Sequence, residues 1–312
     1  MPHWAIKSAV QRAISWLPNS HFWNGLFQKW VTKSTGLTPG TLRGKLEETC
    51  KILSPMQEAK GKGAPFRAFE VGTGWYPTIP VALYLCGASD VWTTDINPLL
   101  NRERLERLIG LLLEMDDCGE LRGALPDALP DRIARLRELR GSIASTTPGG
   151  WLEQIGVHTL TLDARHTGLP DGSVDLFFSS GVLEYIPRSV LGEIFRESAR
   201  LASPDFVNVH RVNLVDQYSS FDKSITPYHF LQFSPRQWAW VNSPLIWQSR
   251  LRISDYRELL AQEGFAIAAE ENISGDPADL AKVKLAPEFA GYSEADLLVI
   301  HSFLVARKAS AA

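Results

Sequence analysis

The stretch from 66 to 95 constrains the fold of this chain more than any other. It reads Phe-Arg-Ala-Phe-Glu-Val-Gly-Thr-Gly from Phe66 to Gly74, continues as an apolar helix-like run, and ends in Val-Trp-Thr-Thr-Asp at Asp95. A short strand that ends in an acid and a glycine turn, with a second strand ending in an acid about 20 residues later, is typical of a nucleotide site at the edge of a parallel sheet. The glycines let a ligand approach the backbone closely because they lack a Cβ. The pattern therefore predicts a ribose-containing cofactor, with Asp95 as acceptor for the two ribose hydroxyls.

The residues after the second glycine separate two classes of cofactor. A dinucleotide-binding fold has a third glycine shortly afterwards, and a helix N-terminus there faces the pyrophosphate. Trp75, Tyr76 and Pro77 stand in this part of the chain instead. Two bulky rings and a proline leave little room for a pyrophosphate, whereas a ligand with a small zwitterionic tail needs less. Taken alone, the loop is also compatible with an ordinary structural turn.

The glycine loop resembles the first motif of the class I S-adenosylmethionine-dependent methyltransferases. In that family an acid is followed by glycines at alternate positions, and Glu70, Gly72 and Gly74 match this pattern. Tyr76 stands where the family has a third glycine, so the loop departs from the family pattern at that position. The resemblance implies that the cofactor is S-adenosyl-L-methionine.

Further motifs follow in the order that this family has. A predicted strand at 157–162 runs directly into Asp163, where the family commonly places an acid against the adenine amino group. The segment 180–186, Ser-Gly-Val-Leu-Glu-Tyr-Ile, resembles the motif after the fourth strand, whose backbone lines the cofactor and substrate cleft. Each acid alone is more often a cap or a solvated side chain, but their common order favours the family. The residues expected to bind the cofactor are Glu70, Gly72, Thr73, Gly74, Asp95, Ile96, Asp163, Ala164, Ser180 and Gly181.

The alternation of strand and helix patterns predicts an α/β fold. We expect a doubly wound, mainly parallel seven-stranded sheet of the Rossmann-like methyltransferase type, spanning 65–307. A helical, basic and aromatic preface occupies 1–64, and a short tail occupies 308–312. Two insertions, 118–156 and 212–251, interrupt the cofactor domain. The predicted strands are 66–71, 91–95, 157–162, 174–179, 205–211, 265–271 and 297–306.

The second insertion is rich in aromatic residues. Such a density of rings predicts either a lid that packs over a ligand and excludes water, or a helical subdomain with an aromatic core of its own. Sugar faces, lipid chains and aromatic acceptors all suit these rings, so the expected acceptor is a small molecule, a glycan or a lipid-linked substrate. The rings are Tyr218, Phe221, Tyr228, Phe230, Phe233, Trp238, Trp240 and Trp247.

Polar residues near the end of the fifth predicted strand are the candidates for catalysis. His210 ends this strand, and Asp216, Asp222 and His229 follow in the insertion. Methyl transfer to an alcohol requires alignment of the acceptor and loss of a proton, so we expect O-methylation with His210 as base and with Asp216 and His229 assisting. N-methylation of a small amine and a non-catalytic, cofactor-binding role are the alternatives. Alternatively, Asp216, Asp222 and His229 could bind a divalent cation that acidifies a hydroxyl, although carboxylates at this loose spacing are weak evidence for a metal site.

The preface has an unusual charge pattern. No Asp or Glu precedes Glu47, whereas six Lys and Arg residues do, and the first residues form a helical apolar stripe with several Trp residues. A basic, Trp-bearing helix can lie on an anionic membrane or hold a lipid-linked acceptor. We favour the other interpretation, in which its apolar face covers the cofactor cleft or forms a homodimer contact.

Composition limits the remaining classes of function. The net charge of −3 argues against a general nucleic-acid surface. Cys50, Cys86 and Cys118 lack paired metal spacing, which favours reduced thiols. No run of about 18 apolar residues predicts a membrane span, and the N-terminal stretch lacks the apolar centre of a secretory signal. We therefore expect a cytoplasmic protein, with peripheral membrane contact as an option.

Overall fold

The computed structural model describes residues 4–15, 36–243 and 247–309, and a seven-stranded sheet forms its centre. The strands are β1 Phe66–Val71, β2 Ala88–Asp95, β3 Val157–Thr161, β4 Val174–Ser180, β5 Ala202–Asn213, β6 Phe265–Ser274 and β7 Val299–Lys308. Their order across the sheet is β3-β2-β1-β4-β5-β7-β6. The neighbouring pairs β3–β2, β2–β1, β1–β4 and β4–β5 are parallel, whereas β7 pairs antiparallel with both β5 and β6. This confirms the predicted doubly wound, mainly parallel seven-stranded sheet.

Helices cover both faces of the sheet. They are α1 Trp4–Ser15, α2 Pro39–Lys60, α3 Thr78–Leu85, α4 Arg102–Asp117, α5 Leu121–Ala124, α6 Pro130–Leu139, α7 Pro148–Glu153, α8 Arg188–Leu201, α9 Pro235–Val241, α10 Ile253–Gln262, α11 Pro277–Ala281 and α12 Glu294–Leu298. Residues of α2 to α7 form one core with the sheet, so the predicted insertion 118–156 packs into that core. Residues of α8 and α10 form the core on the opposite face. Among the described helices, none has the length and apolar character needed to cross a membrane.

Strand β5 shows how each face is assigned. Successive side chains of a strand point to opposite faces of the sheet. Val207 and Val209 pack in the core that α2 covers, whereas Val212 packs in the core of α8 and α10. Arg211 therefore faces the α2 side, and the neighbouring His210 faces the α8 side.

The aromatic insertion forms a third core together with the segment from 275 to 298. Its buried members are Tyr228, Phe230, Leu231, Trp238, Leu280, Ala286, Phe289 and Leu297. The fully buried Arg252 ties this unit to β7, because its guanidinium donates to the carbonyl oxygens of Leu214 and Leu297, both at 3.0 Å, and to that of Val299. Of the two interpretations of the insertion, the described rings therefore favour the subdomain with an aromatic core.

The first helix of the preface packs on this insertion. The backbone N–H of Trp4 donates to Asp222 at 2.9 Å, and its ring lies 4.6 Å from that of His229 between centroids. The buried side of α1 carries polar residues, among them Lys7, whose Nζ lies 2.7 Å from the centroid of the Phe221 ring. Burial lowers the pKa of Lys7 to about 7.

The predicted apolar stripe of α1 is therefore not its buried side. Ile6 and Val10 are exposed by 57% and 36%, whereas Lys7 and Gln11 are buried. Within the described part of the preface, it is α2 that covers the sheet beside the cleft. Trp16, Trp23, Phe27 and Trp30, which extend the predicted amphipathic pattern, lie outside the described residues.

We expect Gly72→Ala to destabilise the fold more than a change at another left-handed glycine. Gly72 has φ of +90°, and a Cβ there would stand 2.4 Å from Cγ2 of Val182. Backbone strain and overpacking together should lower the free energy of unfolding by about 2–4 kcal/mol, measured by urea denaturation.

Gly168→Ala is the matched control. Gly168 has φ of +71° with open space around it, so strain alone should cost about 1–2 kcal/mol. Equal losses in the two variants would show that the contact with Val182 has no energetic weight.

Candidate active site

Two adjoining cavities open at the carboxyl ends of the central parallel strands. The apolar cavity, about 390 Å³, lies between the ends of β1, β2 and β3 and the start of α8. The charged cavity, about 320 Å³, lies between the β1 and β4 turns and α2. Gly72 and Val182 line both. Ligands at a parallel sheet bind at this edge, so the two cavities together form the candidate site.

The apolar cavity has aliphatic walls and polar ends. Its apolar lining residues are Val71, Ile96, Leu162, Ala164, Val182, Tyr185, Ile186, Pro187, Val190 and Ile194. Ile96 is 75% exposed, which is unusual for so large an apolar side chain, and it directly follows Asp95. A flat apolar ring bound in the cavity would cover Ile96 and remove its apolar surface from water.

Two backbone N–H groups orient the carboxylate of Asp95 in this cavity. Gly74 donates to Oδ2 and Asn97 donates to Oδ1, each at 3.0 Å. A carboxylate has about four acceptor positions, so both oxygens can still accept a bond from a ligand. Asp95 thus presents an oriented carboxylate to the apolar cavity, and its role as acceptor for ribose hydroxyls stays a prediction.

Asp163 also lines the apolar cavity, but its carboxylate has a protein partner. The side chain of Arg165 donates to both oxygens, at 2.7 and 3.0 Å, and also reaches Glu193 at 3.0 Å. The bonds from Arg165 lower the pKa of the Asp163 carboxyl. The predicted contact with an adenine amino group therefore has to share this carboxylate with Arg165.

Glu70 provides a buried carboxyl at the floor of the charged cavity. It is only 4% exposed, and its Oε2 accepts a bond from the hydroxyl of Thr93 at 2.5 Å. The hydroxyl of Thr73 lies 2.6 Å from that of Thr93 and continues this chain of hydrogen bonds. Burial raises the pKa of Glu70 to about 8, while the Thr93 bond lowers it in part. A cationic ligand group beside Glu70 would favour its ionised form.

Helix α2 contributes a cation that the sequence did not reveal as part of the site. Lys45 lines the charged cavity, donates to the hydroxyl of Ser180 at 2.6 Å, and forms an ion pair with Glu48 at 3.0 Å. Ser180 donates in turn to Glu48. The Lys45–Glu48 spacing is that of an ordinary helix surface pair, so no local signal distinguishes it. The contact joins residues 135 positions apart in the chain.

The rings after the glycine loop lie beside the charged cavity. Trp75 and Tyr76 both line it, and α3 begins directly afterwards at Thr78. The guanidinium of Arg104 lies 4.2 Å from the centroid of a Trp75 ring, a cation–π contact that holds the indole in place. The loop therefore accommodates Tyr76 where the family pattern has glycine.

His210 does not lie at the cleft, and the geometry does not support its expected role as base. It is 1% exposed, its Nδ1 pairs with the hydroxyl of Ser179 at 2.8 Å, and its ring packs 5.3 Å from that of Phe195. Burial lowers the pKa of His210 to about 3. His210 points into the core beneath α8 and lines neither cavity, because the rings of Phe177 and Phe195 cover it there.

Asp216 and His229 form a pair inside the insertion and do not orient His210. Oδ2 of Asp216 lies 3.0 Å from Nδ1 of His229, and Oδ1 accepts the N–H of Tyr218 at 2.8 Å. Asp222 accepts the N–H of Trp4. These contacts give the three side chains structural partners away from both cavities. No group of three metal-ligating side chains occurs in the part of the chain that the structure describes.

The aromatic insertion does not close over the candidate site in this structure. None of its described rings lines the apolar cavity or the charged cavity. Their stacking partners are one another and α1: Phe233, for example, stacks on Trp238 at 6.2 Å and lies 5.8 Å from Trp4. In its described parts, the insertion is therefore a subdomain beside the candidate site and not a lid over it.

Comparison with models of known protein families gives no match for the sequence, and comparison with curated proteins gives none either. Among solved structures, the geranyl diphosphate C-methyltransferase from Streptomyces coelicolor A3(2) is 12% identical, with a TM-score of 0.46 over 84% of this chain and 79% of that one. The magnesium protoporphyrin IX methyltransferase from Synechocystis PCC 6803 is 14% identical, with a TM-score of 0.43 over 84% of each chain. The [4+2]-cyclase SpnF is 15% identical, with a TM-score of 0.45 over 84% of this chain and 82% of that one. Likenesses this distant carry no argument about activity.

We expect the ligand-free protein to lose stability as the pH rises through the range set by Glu70. Its carboxyl has a pKa of about 8 in the fold against 4.5 in the reference state, so the folded chain binds this proton more tightly than the unfolded chain. The stabilisation is complete below pH 4.5 and is lost as the pH rises through 8. Urea denaturation across this range should show the decline, and Glu70→Gln should make it shallower.

Glu58→Gln is the control for this measurement. The Glu58 side chain is 70% exposed, so its replacement should leave the pH dependence of the free energy of unfolding unchanged. A Glu70→Gln variant with the same pH dependence as the parent protein would show that Glu70 is ionised in the fold.

Proposed function

We propose that this chain binds S-adenosyl-L-methionine and transfers its methyl group to a small-molecule acceptor. One observation carries the proposal: an apolar cavity with a carboxylate at its end meets a cavity with one buried carboxyl and one ammonium group. They join where Gly72 and Val182 approach each other. This arrangement matches a flat base, a ribose and a zwitterionic tail in sequence.

The residues of the site suit each part of this cofactor. The aliphatic walls beside Ile96 suit the adenine ring, and the oriented carboxylate of Asp95 suits the ribose hydroxyls. Glu70 suits the ammonium group of the tail. Lys45 suits its carboxylate, because an ammonium has three donors and the described contacts of Lys45 use two of them.

The chemistry follows from these positions. The bound cofactor supplies an electrophilic methyl group on a sulfonium sulfur, which keeps the electron pair of the broken bond. The protein has to hold the acceptor in line with that methyl group and exclude water. For an alcohol acceptor, a protein base also has to take the hydroxyl proton.

We further propose that the reaction is O-methylation and that His301, instead of His210, is the base that takes the hydroxyl proton. His301 lies on β7 and pairs in register with Asn213 of β5, on the face that α2 covers. It lines a third cavity, which shares Thr41 and Lys45 with the charged cavity. Burial and then the charge of Arg211 lower the pKa of His301, so its ring is neutral near pH 7 and can accept a proton.

Peripheral membrane contact and dimerisation through the preface stay predictions. Ile6 and Val10 of α1 are exposed, and so is Trp240 of α9, at 71%. Arg12 donates to the carbonyl oxygen of Trp240 and lies over its ring. Exposed apolar side chains beside a cation suit either an anionic membrane surface or a second copy of the chain. Glycan and lipid-linked acceptors likewise stay within the proposed class.

Calorimetric titration with S-adenosylhomocysteine tests the cofactor assignment. Asp95→Ala removes the ribose acceptors and should weaken binding by about 1.5–3 kcal/mol, the range for hydrogen bonds to a charged group. Asp279→Ala is the control, because Asp279 lies on α11 and pairs with Lys282 outside the cavities. Failure of the parent protein to bind, or equal affinities in both variants, would refute the assignment.

Incubation with isotopically labelled S-adenosylmethionine and cell extract tests catalysis itself. Labelled small molecules found by mass analysis would show methyl transfer and report whether oxygen or nitrogen carries the methyl group. Tight binding of the cofactor without any labelled product would instead favour the non-catalytic alternative.

A modified cofactor tests the role of Asp163. We expect Asp163→Ala to reduce the affinity for S-adenosylhomocysteine more than the affinity for its inosine analogue. Inosine lacks the amino group whose N–H would donate a hydrogen bond to the carboxylate. Arg165→Gln is the companion variant, since it frees the same carboxylate. If Asp163→Ala reduces the affinity for both ligands equally, Asp163 only stabilises its own loop.

A further inference from the structure

A third cavity lies beside the charged cavity, between α2 and the sheet edge formed by β5, β7 and β6. This edge cavity has a volume of about 550 Å³. Arg211, His301 and Phe303 form part of its floor, and Thr41 and Lys45 of α2 line it together with the charged cavity. A molecule in the edge cavity would therefore adjoin the tail of a cofactor bound in the charged cavity.

Two of the three Lys and Arg side chains that line the edge cavity form ion pairs with carboxylates of the protein. Lys45 pairs with Glu48 at 3.0 Å, and Lys51 pairs with Glu271 at 2.9 Å. Arg211 is different: within residues 4–15, 36–243 and 247–309 it has no ion pair and no side-chain hydrogen bond. A guanidinium that lines a cavity without a partner is suited to an anionic ligand group.

The carboxyl group of Glu184 lies close to Arg211 but is a poor counter-charge. Both side chains approach Gly181: a Cβ added there would stand 3.5 Å from Nη1 of Arg211 and 3.6 Å from Oε1 of Glu184. The two residues nevertheless form no ion pair. Glu184 is 3% exposed, and burial raises its pKa to about 7, while the charges of Arg211 and Lys45 lower it in part. Its Oε2 is buried without a hydrogen-bond partner in the described structure. The positive charge of Arg211 thus remains available to a ligand.

The other lining groups include three carboxylates, of which Glu48 and Glu271 are paired with Lys45 and Lys51, and also an imidazole and two apolar side chains; the third carboxylate is Glu47. Nδ1 of His301 is buried without a partner among the described residues, so the imidazole retains hydrogen-bonding capacity. Ile273 is 59% exposed although it is a large apolar residue, and Phe303 also lines the cavity. These two side chains can cover a carbon skeleton while Arg211 holds the charged end.

We propose that the edge cavity is the acceptor site and that Arg211 pairs with a carboxylate or phosphate group of the acceptor. The naming of the ligand as a methyl acceptor rests on the proposed function, whereas the anion site itself does not. The side chain of Arg211 presents two parallel N–H groups that match either anion, and Ile273 and Phe303 favour an acid with an apolar body. The acceptor class is therefore an organic anion.

Ligand binding to the full chain tests this site without any measurement of activity. The probes are benzoate, its neutral isostere benzamide, and inorganic phosphate, titrated by NMR in the presence and absence of S-adenosylhomocysteine. We expect saturable binding of benzoate or phosphate, and benzamide should bind at least about 10-fold more weakly than benzoate because it lacks the charge.

Variants then locate the anion. Arg211→Gln should weaken anion binding by about 10- to 100-fold, while its affinity for S-adenosylhomocysteine shows that it is folded. Lys51→Gln removes a cation of the same cavity that already has a partner and is 61% exposed, so it should change anion binding little. Arg211→Lys keeps the positive charge but lacks the planar guanidinium. Anion binding is measured with this variant if Arg211→Gln does not fold.

The outcomes for the anion site and for the proposed function are separable. If S-adenosylhomocysteine binds but neither anion does, or if Arg211→Gln and Lys51→Gln bind the anion equally, the anion site is overturned and the proposed function stands. If an anion binds in an Arg211-dependent way but S-adenosylhomocysteine does not bind, the cofactor assignment fails and the anion site stands.

Discussion

The close approach of the β1 and β4 turns is the constraint on which the rest of the site depends. Only a glycine at position 72 lets the two turns meet, because a Cβ there would overlap the side chain of Val182. This contact brings the ends of two parallel strands together and makes Gly72 and Val182 a common wall of the apolar and charged cavities. The glycine loop was expected to make room for a ligand. In the structure it first makes room for the neighbouring strand's turn.

Burial of ionisable groups around this contact gives the site its chemical character. Glu70 and Glu184 are both almost inaccessible to water, and burial raises their pKa values to about 8 and about 7. A buried carboxyl is costly to ionise unless a cation stands beside it. Lys45 and Arg211 line the adjoining cavities, and their charges lower the pKa values of these carboxyl groups in part. Perturbed ionisable groups of this kind are concentrated at functional sites.

The preface has two separate structural roles in its described parts. Helix α2 covers the sheet beside the charged and edge cavities and supplies Lys45 to both. Helix α1 packs on the aromatic insertion, where Asp222 accepts the N–H of Trp4. The sequence analysis grouped both helices in one helical preface, 1–64. Their partners differ because each helix is positioned by contacts with residues far along the chain.

The sequence by itself determined the sheet, its strand positions and the residues of the glycine loop, since period-two and period-3.6 patterns and glycine turns are local properties. Only the tertiary structure decided which side chains share the cleft. The strand Phe206-Val207-Asn208-Val209-His210-Arg211 has apolar and polar residues on both faces, so its pattern does not show that Arg211 and not His210 faces α2. Lys45 contacts Ser180, which lies 135 residues further along the chain, and His301 shares the edge cavity with Thr41 and Lys45. The burial that raises the pKa of Glu70 likewise exists only once distant segments have packed together.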